Sequence, residues 1–183
     1  MKKVFFVLSM VISLAANAQD KYLTRNAKVH FDATSSTSPE KIEAINNQVI
    51  SIFNTQTGQY EFSMQMQAFE FEKALMKDHF NENYVETTKF PKAVFKGSIQ
   101  DVAKVNFAKD GKYPVVVKGT MDMHGVKKEV SANGTLTVSC GKVTASSSFK
   151  LVLSDYNVTV PNLVKDKIAK EATITVDATY NKM

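Results

Sequence analysis

The chain has 183 residues, with 23 Lys and Arg against 18 Asp and Glu, one Cys and no Trp. That length predicts one globular domain, and a single thiol excludes an internal disulfide framework or a Cys-based zinc cluster. The formal charge of +5 is spread along the chain without basic runs or aromatic interleaving, so no nucleic-acid partner is expected.

Residues 1–18 read as a secretory leader. Lys2 and Lys3 form a charged start, Val4 to Leu14 an apolar run, and Ala16-Asn17-Ala18 a small-x-small cleavage site. The apolar run is shorter than the roughly 20 residues a membrane span needs. Export with cleavage before Gln19 is expected, leaving 19–183 as a single domain.

From Tyr22 onward the dominant rhythm is period two, the mark of strands with one buried face. Ala27, Val29 and Phe31 alternate with Lys28, His30 and Asp32. Pro39 to Phe53 is ambiguous: Pro39-Glu40 resembles a helix start, yet Ile50, Ile52 and Phe53 are β-prone, and the segment is read as strand. After a turn signal at Asn54 to Gly58, Tyr60, Phe62, Met64, Met66 and Ala68 alternate with polar residues. Phe71, Leu75, Met76, His79 and Phe80 then fall at helical spacing, so residues 70–81 read as one short amphipathic helix.

The two-residue rhythm returns at Ala93, Phe95, Gly97 and Ile99, and again at Val115, Val117, Gly119, Met121 and Met123 after the Asp110-Gly111 turn. Lys128 to Val138 and Val143 to Leu153 follow on either side of a Cys140-Gly141 turn. Cys140 itself is expected to be inert and at least half-buried. Pro161 to Lys170 has room for another helical turn or two, and Ala172, Ile174, Val176, Ala178 and Tyr180 form the last strand. About eight strands with short polar turns predict an all-β antiparallel sandwich or barrel. Closing the sheet hides its apolar row and removes its edges, which favours the barrel. A barrel of about eight strands is either filled by its side chains or encloses a small apolar ligand.

Motifs for catalysis are missing. No G-x-S-x-G elbow occurs, and Ser147 to Lys150 matches S-x-x-K only within a strand, where those positions point to opposite faces. His30, His79 and His124 are far apart in sequence and form no metal-ligand pair, leaving His79 and His124 as the only sensible candidates for a site assembled in space. Neither an enzyme nor a metal site is expected.

Two segments carry a family resemblance. Met76-Lys77-Asp78-His79-Phe80, Tyr84-Val85-Glu86 and Lys89-Phe90-Pro91-Lys92-Ala93-Val94-Phe95 are similar to the R-D-x-H-L, F-F-D and K-Y-P-x-x-x-F patterns of the YceI-like family. Gly119 to Val130 resembles that family's G-D-L-T-x-x-G-V-T-K-x-V. Met76-Lys77 stand where the family usually has Arg-Asp, and Thr120 where it has an acidic residue, so the chain reads as a divergent member.

The resemblance implies an extended, lipocalin-like antiparallel β-barrel with one or two short helices, exported to the periplasm. Its apolar lumen would hold a polyisoprenoid, an isoprenoid quinone or a lipid, with no other cofactor and with transient contact to a membrane surface. The ligand wall is then expected at Phe62, Met64, Met66, Phe95, Val117, Met121, Met123, Phe149, Leu151, Ile174 and Val176. Phe71, Leu75 and Phe80 would close one end, while His79 and His124 would fix the helix and a turn. The alternative is a secreted, stress-associated structural or interaction module with a filled barrel and no ligand.

Overall fold

Period-two alternation becomes strand pairing in the computed structural model, which describes residues 21–183; the expected leader at 1–18 lies outside the described residues. The strands are β1 (Lys21–Thr34), β2 (Glu43–Asn54), β3 (Gln59–Gln65), β4 (Glu70–Phe71), β5 (Lys92–Ile99), β6 (Gly111–Met123), β7 (Val126–Ser139), β8 (Lys142–Val152) and β9 (Ile168–Lys182). All pairings are antiparallel and run β1-β9-β8-β7-β6-β5-β3-β2, and β2 also pairs with β1. Eight strands therefore close into a barrel with no free edge between first and last. The two-residue β4 pairs with Ala44 and Ile45 on β2, beyond the point where β3 ends.

Alternation decides what faces inward. On β1, Ala27, Val29 and Ala33 are buried; on β5 the same holds for Ala93, Phe95 and Ile99. Gly97 and Gly119 stand directly opposite each other on β5 and β6. A Cβ on Gly97 would lie 2.2 Å from the Lys118 carbonyl oxygen, and one on Gly119 2.3 Å from that of Lys96, so only glycine allows these strands so close an approach.

Two hairpins close with two-residue turns in which both residues have positive φ: His124 (51°) and Gly125 (73°), then Cys140 (49°) and Gly141 (76°). That geometry matches the right-handed strand twist, although a non-glycine first residue is strained in it. It also overturns the expectation of a half-buried Cys140. A turn tip projects past the sheet, and the thiol is exposed, with its backbone N–H donating to Asp110 Oδ1 at 3.0 Å.

Three other expectations are corrected. The strand expected through Ala68 stops at Gln65, and Met66–Ala68 forms a tight turn that still buries Met66. Residues 70–81 are not one helix: Glu70–Phe71 is strand, helix α1 covers only Ala74–His79, and a π-helical turn follows at Phe80–Tyr84. Lys73 supplies no side-chain cap and no acidic residue sits in the first turn, so little holds a longer helix together. The 161–168 stretch forms hydrogen-bonded turns rather than a helix, with Val164 N–H donating to Pro161 O at 3.0 Å and Lys167 N–H to Val164 O at 2.9 Å.

Candidate functional site

The barrel interior divides into two aromatic ends and a space between them. One end is packed shut. Tyr22 stacks on Phe53 (ring centroids 5.2 Å apart), Phe107 lies 5.9 Å from Phe53, and Tyr180 meets Phe53 edge-on at 4.9 Å. These rings come from the start of β1, the ends of β2 and β9, and the β5–β6 connection. Just above them Ser51, Tyr180 and Tyr60 share hydrogen bonds: Ser51 Oγ to Tyr180 OH at 2.8 Å and Tyr180 OH to Tyr60 OH at 3.1 Å. Ser51 also donates to the Glu61 carbonyl at 3.2 Å. Burial pushes the Tyr60 and Tyr180 phenols up from their ordinary range, Tyr180 far up, so both stay neutral hydrogen-bonding groups.

At the opposite end Phe31, Phe69, Phe71 and Phe80 form a second cluster, with Phe80 at 5.9, 5.5 and 5.1 Å from the other three. Here the π-helical turn inserts Phe80 among rings from β1, the β3–β4 turn and β4. Leu75, expected beside Phe71 and Phe80, instead faces solvent at 64% exposure. The short helix turns it away from the barrel.

Between the clusters lies a cavity of about 300 Å³. Its wall includes Phe62 and Met64 on β3, Met66 in the turn after it, Phe95 on β5, Val117, Met121 and Met123 on β6, Phe149 and Leu151 on β8, and Ile174 and Val176 on β9. Every expected wall residue therefore borders this space. Apart from the Tyr60 and Tyr84 phenols, the ionisable wall residues are Glu40, His79 and Lys167, and these three lie at the Phe31–Phe80 end, where the cavity meets solvent. Glu40 is hydrogen-bonded to Lys73 just before α1, and this bond, with the charge of Lys73 and Lys167, holds its carboxyl below the ordinary range.

The two candidate histidines do different things. His79 ends α1 and borders the mouth. His124 is buried in the β6–β7 turn: its Nδ1 lies 2.7 Å from the Tyr156 carbonyl, which fits an N–H donor, and its Nε2 lies 3.3 Å from Glu86 Oε2. Phe90 packs edge-on at 4.6 Å. His124 thus joins the β6–β7 turn to the segments after α1 and after β8. Its partners are these groups rather than His79.

Several wall and end residues were not picked out from sequence. Tyr60 and Phe31 carry the alternation signal but were not singled out; Phe69 and Glu40 carry none. They meet through pairings between segments distant in sequence.

A protein-family model described as the YceI-like domain matches residues 19–180. The chain belongs to the YceI-like family. This YceI-like chain is similar in structure to a polyisoprenoid binding domain from Saccharophagus degradans implicated in plant cell wall breakdown, with a TM-score of 0.77 at 13% identity, over 90% of this chain and 99% of that one. It is similar to Burkholderia cenocepacia BcnA, with a TM-score of 0.68 at 15% identity over 85% and 96%. A Campylobacter jejuni YCEI protein gives a TM-score of 0.52 at 16% identity over 72% and 80%. At such identities the structural likeness is one of fold. Among curated proteins none matches the chain.

Proposed function

We propose that this protein is a periplasmic binding or carrier protein that holds a long apolar chain, a polyisoprenoid, isoprenoid quinone or lipid, in the barrel lumen. The observation that carries the reading is the cavity of about 300 Å³ inside a closed barrel, walled mainly by Phe, Met, Val, Leu and Ile. Small-molecule sites start at roughly that volume. Methionines at 64, 66, 121 and 123 let the wall adapt to a flexible chain. The structural neighbour described as a polyisoprenoid binding domain supports the same ligand class.

The energetics are sufficient without a polar anchor. Each buried methylene contributes about 0.8 kcal/mol, so about 15 enclosed carbons give roughly 12 kcal/mol gross. Association and ordering of the chain cost several kcal/mol, which leaves an affinity of about micromolar or better. The mechanism is transfer of apolar surface out of water, and it requires no catalytic group.

Delivery fits contact with a membrane surface. Leu75 and Leu163 are 64% and 93% exposed, and each belongs to a segment that also contributes to the mouth. The periplasmic location rests on the leader-like 1–18 segment. The ligand-free alternative needs a filled lumen, and the open cavity weighs against it.

The test is equilibration of purified protein with geranylgeraniol or an isoprenoid quinone, followed by gel filtration and organic extraction. Near-stoichiometric co-elution is expected. Ligand found only in the aggregate or free fractions contradicts the proposal.

A further inference from the structure

The barrel is not sealed equally all round. Strands β6 and β7 pair from Gly111↔Val138 to Met123↔Val126, and β8 and β9 from Val143↔Tyr180 to Val152↔Glu171. Between them, β7 and β8 pair only from Ser139↔Lys142 to Gly134↔Ser147. Beyond that point both strands continue, each held on its outer side, yet among the described residues no backbone pairing joins 126–133 to 148–152. The wall splits there.

The split has a defined frame. At its narrow end Ser147 Oγ donates to the Asn133 carbonyl at 2.7 Å, and a Cβ on Gly134 would lie 3.0 Å from the Ser146 carbonyl oxygen, marking the last close approach of the strands. At its other end the turn Leu153–Tyr156 is fastened to the β7 side by side chains: the Tyr156 carbonyl by His124 at 2.7 Å, and Asp155 by Lys128 at 3.4 Å. The Lys128–Asp155 pair is about half exposed, a class of contact worth little.

The residues along the split border the lumen. Val130, Ala132 and Gly134 on β7 and Ser147 and Phe149 on β8 all line the cavity, and all are only half-buried. Phe62 on β3 and Phe95 on β5, wall residues away from the seam, are buried. The end mouth offers a poorer path for an apolar chain, because it is ringed by Glu40, His79 and Lys167 and blocked by Phe31, Phe69, Phe71 and Phe80. Drawing an apolar chain past charged groups forfeits their hydration, whereas the lumen-lining side chains of the split, Val130, Ala132, Ser147 and Phe149, carry no charge, and its Lys128–Asp155 pair sits at one end.

We propose that the seam between β7 and β8 is a side portal through which the chain of a long apolar ligand passes into and out of the lumen, with Leu153–Tyr156 as its movable margin. This inference rests on the lumen being a ligand site. The portal governs rates and leaves the bound state unchanged.

The test uses outward positions on the two edges. In a Cys140→Ser background, Ser131→Cys and Lys150→Cys continue the β7–β8 register across the split, and a reducible bismaleimide bridges them. Association and dissociation of NBD-labelled geranylgeraniol should both slow by about tenfold or more with Kd unchanged, and reduction of the bridge should restore them. The control bridge, Thr137→Cys with Thr144→Cys, spans a stretch already paired and should leave the rates alone. Unaltered rates with the seam bridged overturn the portal while the lumen reading stands. Failure of the Cys140→Ser protein to bind the probe at all overturns the lumen reading, and the portal with it.

Discussion

Tyr180 is the side chain on which the sealed end of the barrel depends. Its hydroxyl stands between those of Ser51 and Tyr60, and the residue is fully buried. Tyr180→Phe should cost about 1–3 kcal/mol in urea unfolding, because it strands buried hydroxyls. Tyr60→Phe should cost less, about 0.5–1.5 kcal/mol, since Tyr180 keeps Ser51. On the cavity wall, Met64→Trp and Met121→Trp put a large ring into the space. Both should keep the far-ultraviolet circular dichroism of the fold while ligand retention in the gel-filtration assay falls to background; unchanged retention in both would count against the lumen as the site. The inward direction of Met64 and Met121 was legible because side-chain direction in a strand is set locally by parity. The Tyr60–Tyr180 bond was not, because it joins residues 120 apart in sequence.

Turns and short helices carry the next set of consequences. Gly125 has φ of +73°, and a Cβ there would sit 2.8 Å from the Phe90 ring. Gly125→Ala should therefore destabilise by about 1–2 kcal/mol, measured by denaturant midpoint, from the left-handed backbone alone. Glu86 anchors the segment after α1. Its carboxyl is held below the ordinary 4.5, first by the hydrogen bond from Lys89 and next by that from His124. A depressed carboxylate contributes stability that is complete above its unfolded value and lost as pH falls through its folded one. Amide exchange in residues 80–90 should thus speed up as pH drops from about 6 to about 3 beyond the intrinsic rate change, and Glu86→Gln should flatten that dependence. The helix over 70–81 was over-read for a physical reason. Phe71 and Phe80 share helical spacing, but they reach the same aromatic cluster from a strand and a π-helical turn. Periodicity reports that two residues share a neighbour, and it does not say which backbone brings them there.

At the scale of the molecule, closure was legible. Long alternating tracts with an apolar row to hide favour a sheet that meets itself, and β1 does pair with both β2 and β9. The unequal seams were not legible, since nothing in the β7 or β8 sequences announces that their pairing ends at Gly134 and Ser147 while both strands run on. Nor does composition distinguish a filled lumen from an open one; that depends on how far the end clusters stand apart. The central claim is that the space between those clusters carries an apolar chain. Native mass spectrometry of protein purified from its native source, followed by organic extraction, tests it most directly. The account predicts a mass exceeding that of the polypeptide by one long apolar molecule, released on extraction as an isoprenoid or lipid. A bare polypeptide mass that persists after incubation with quinones and polyprenyl lipids would contradict it.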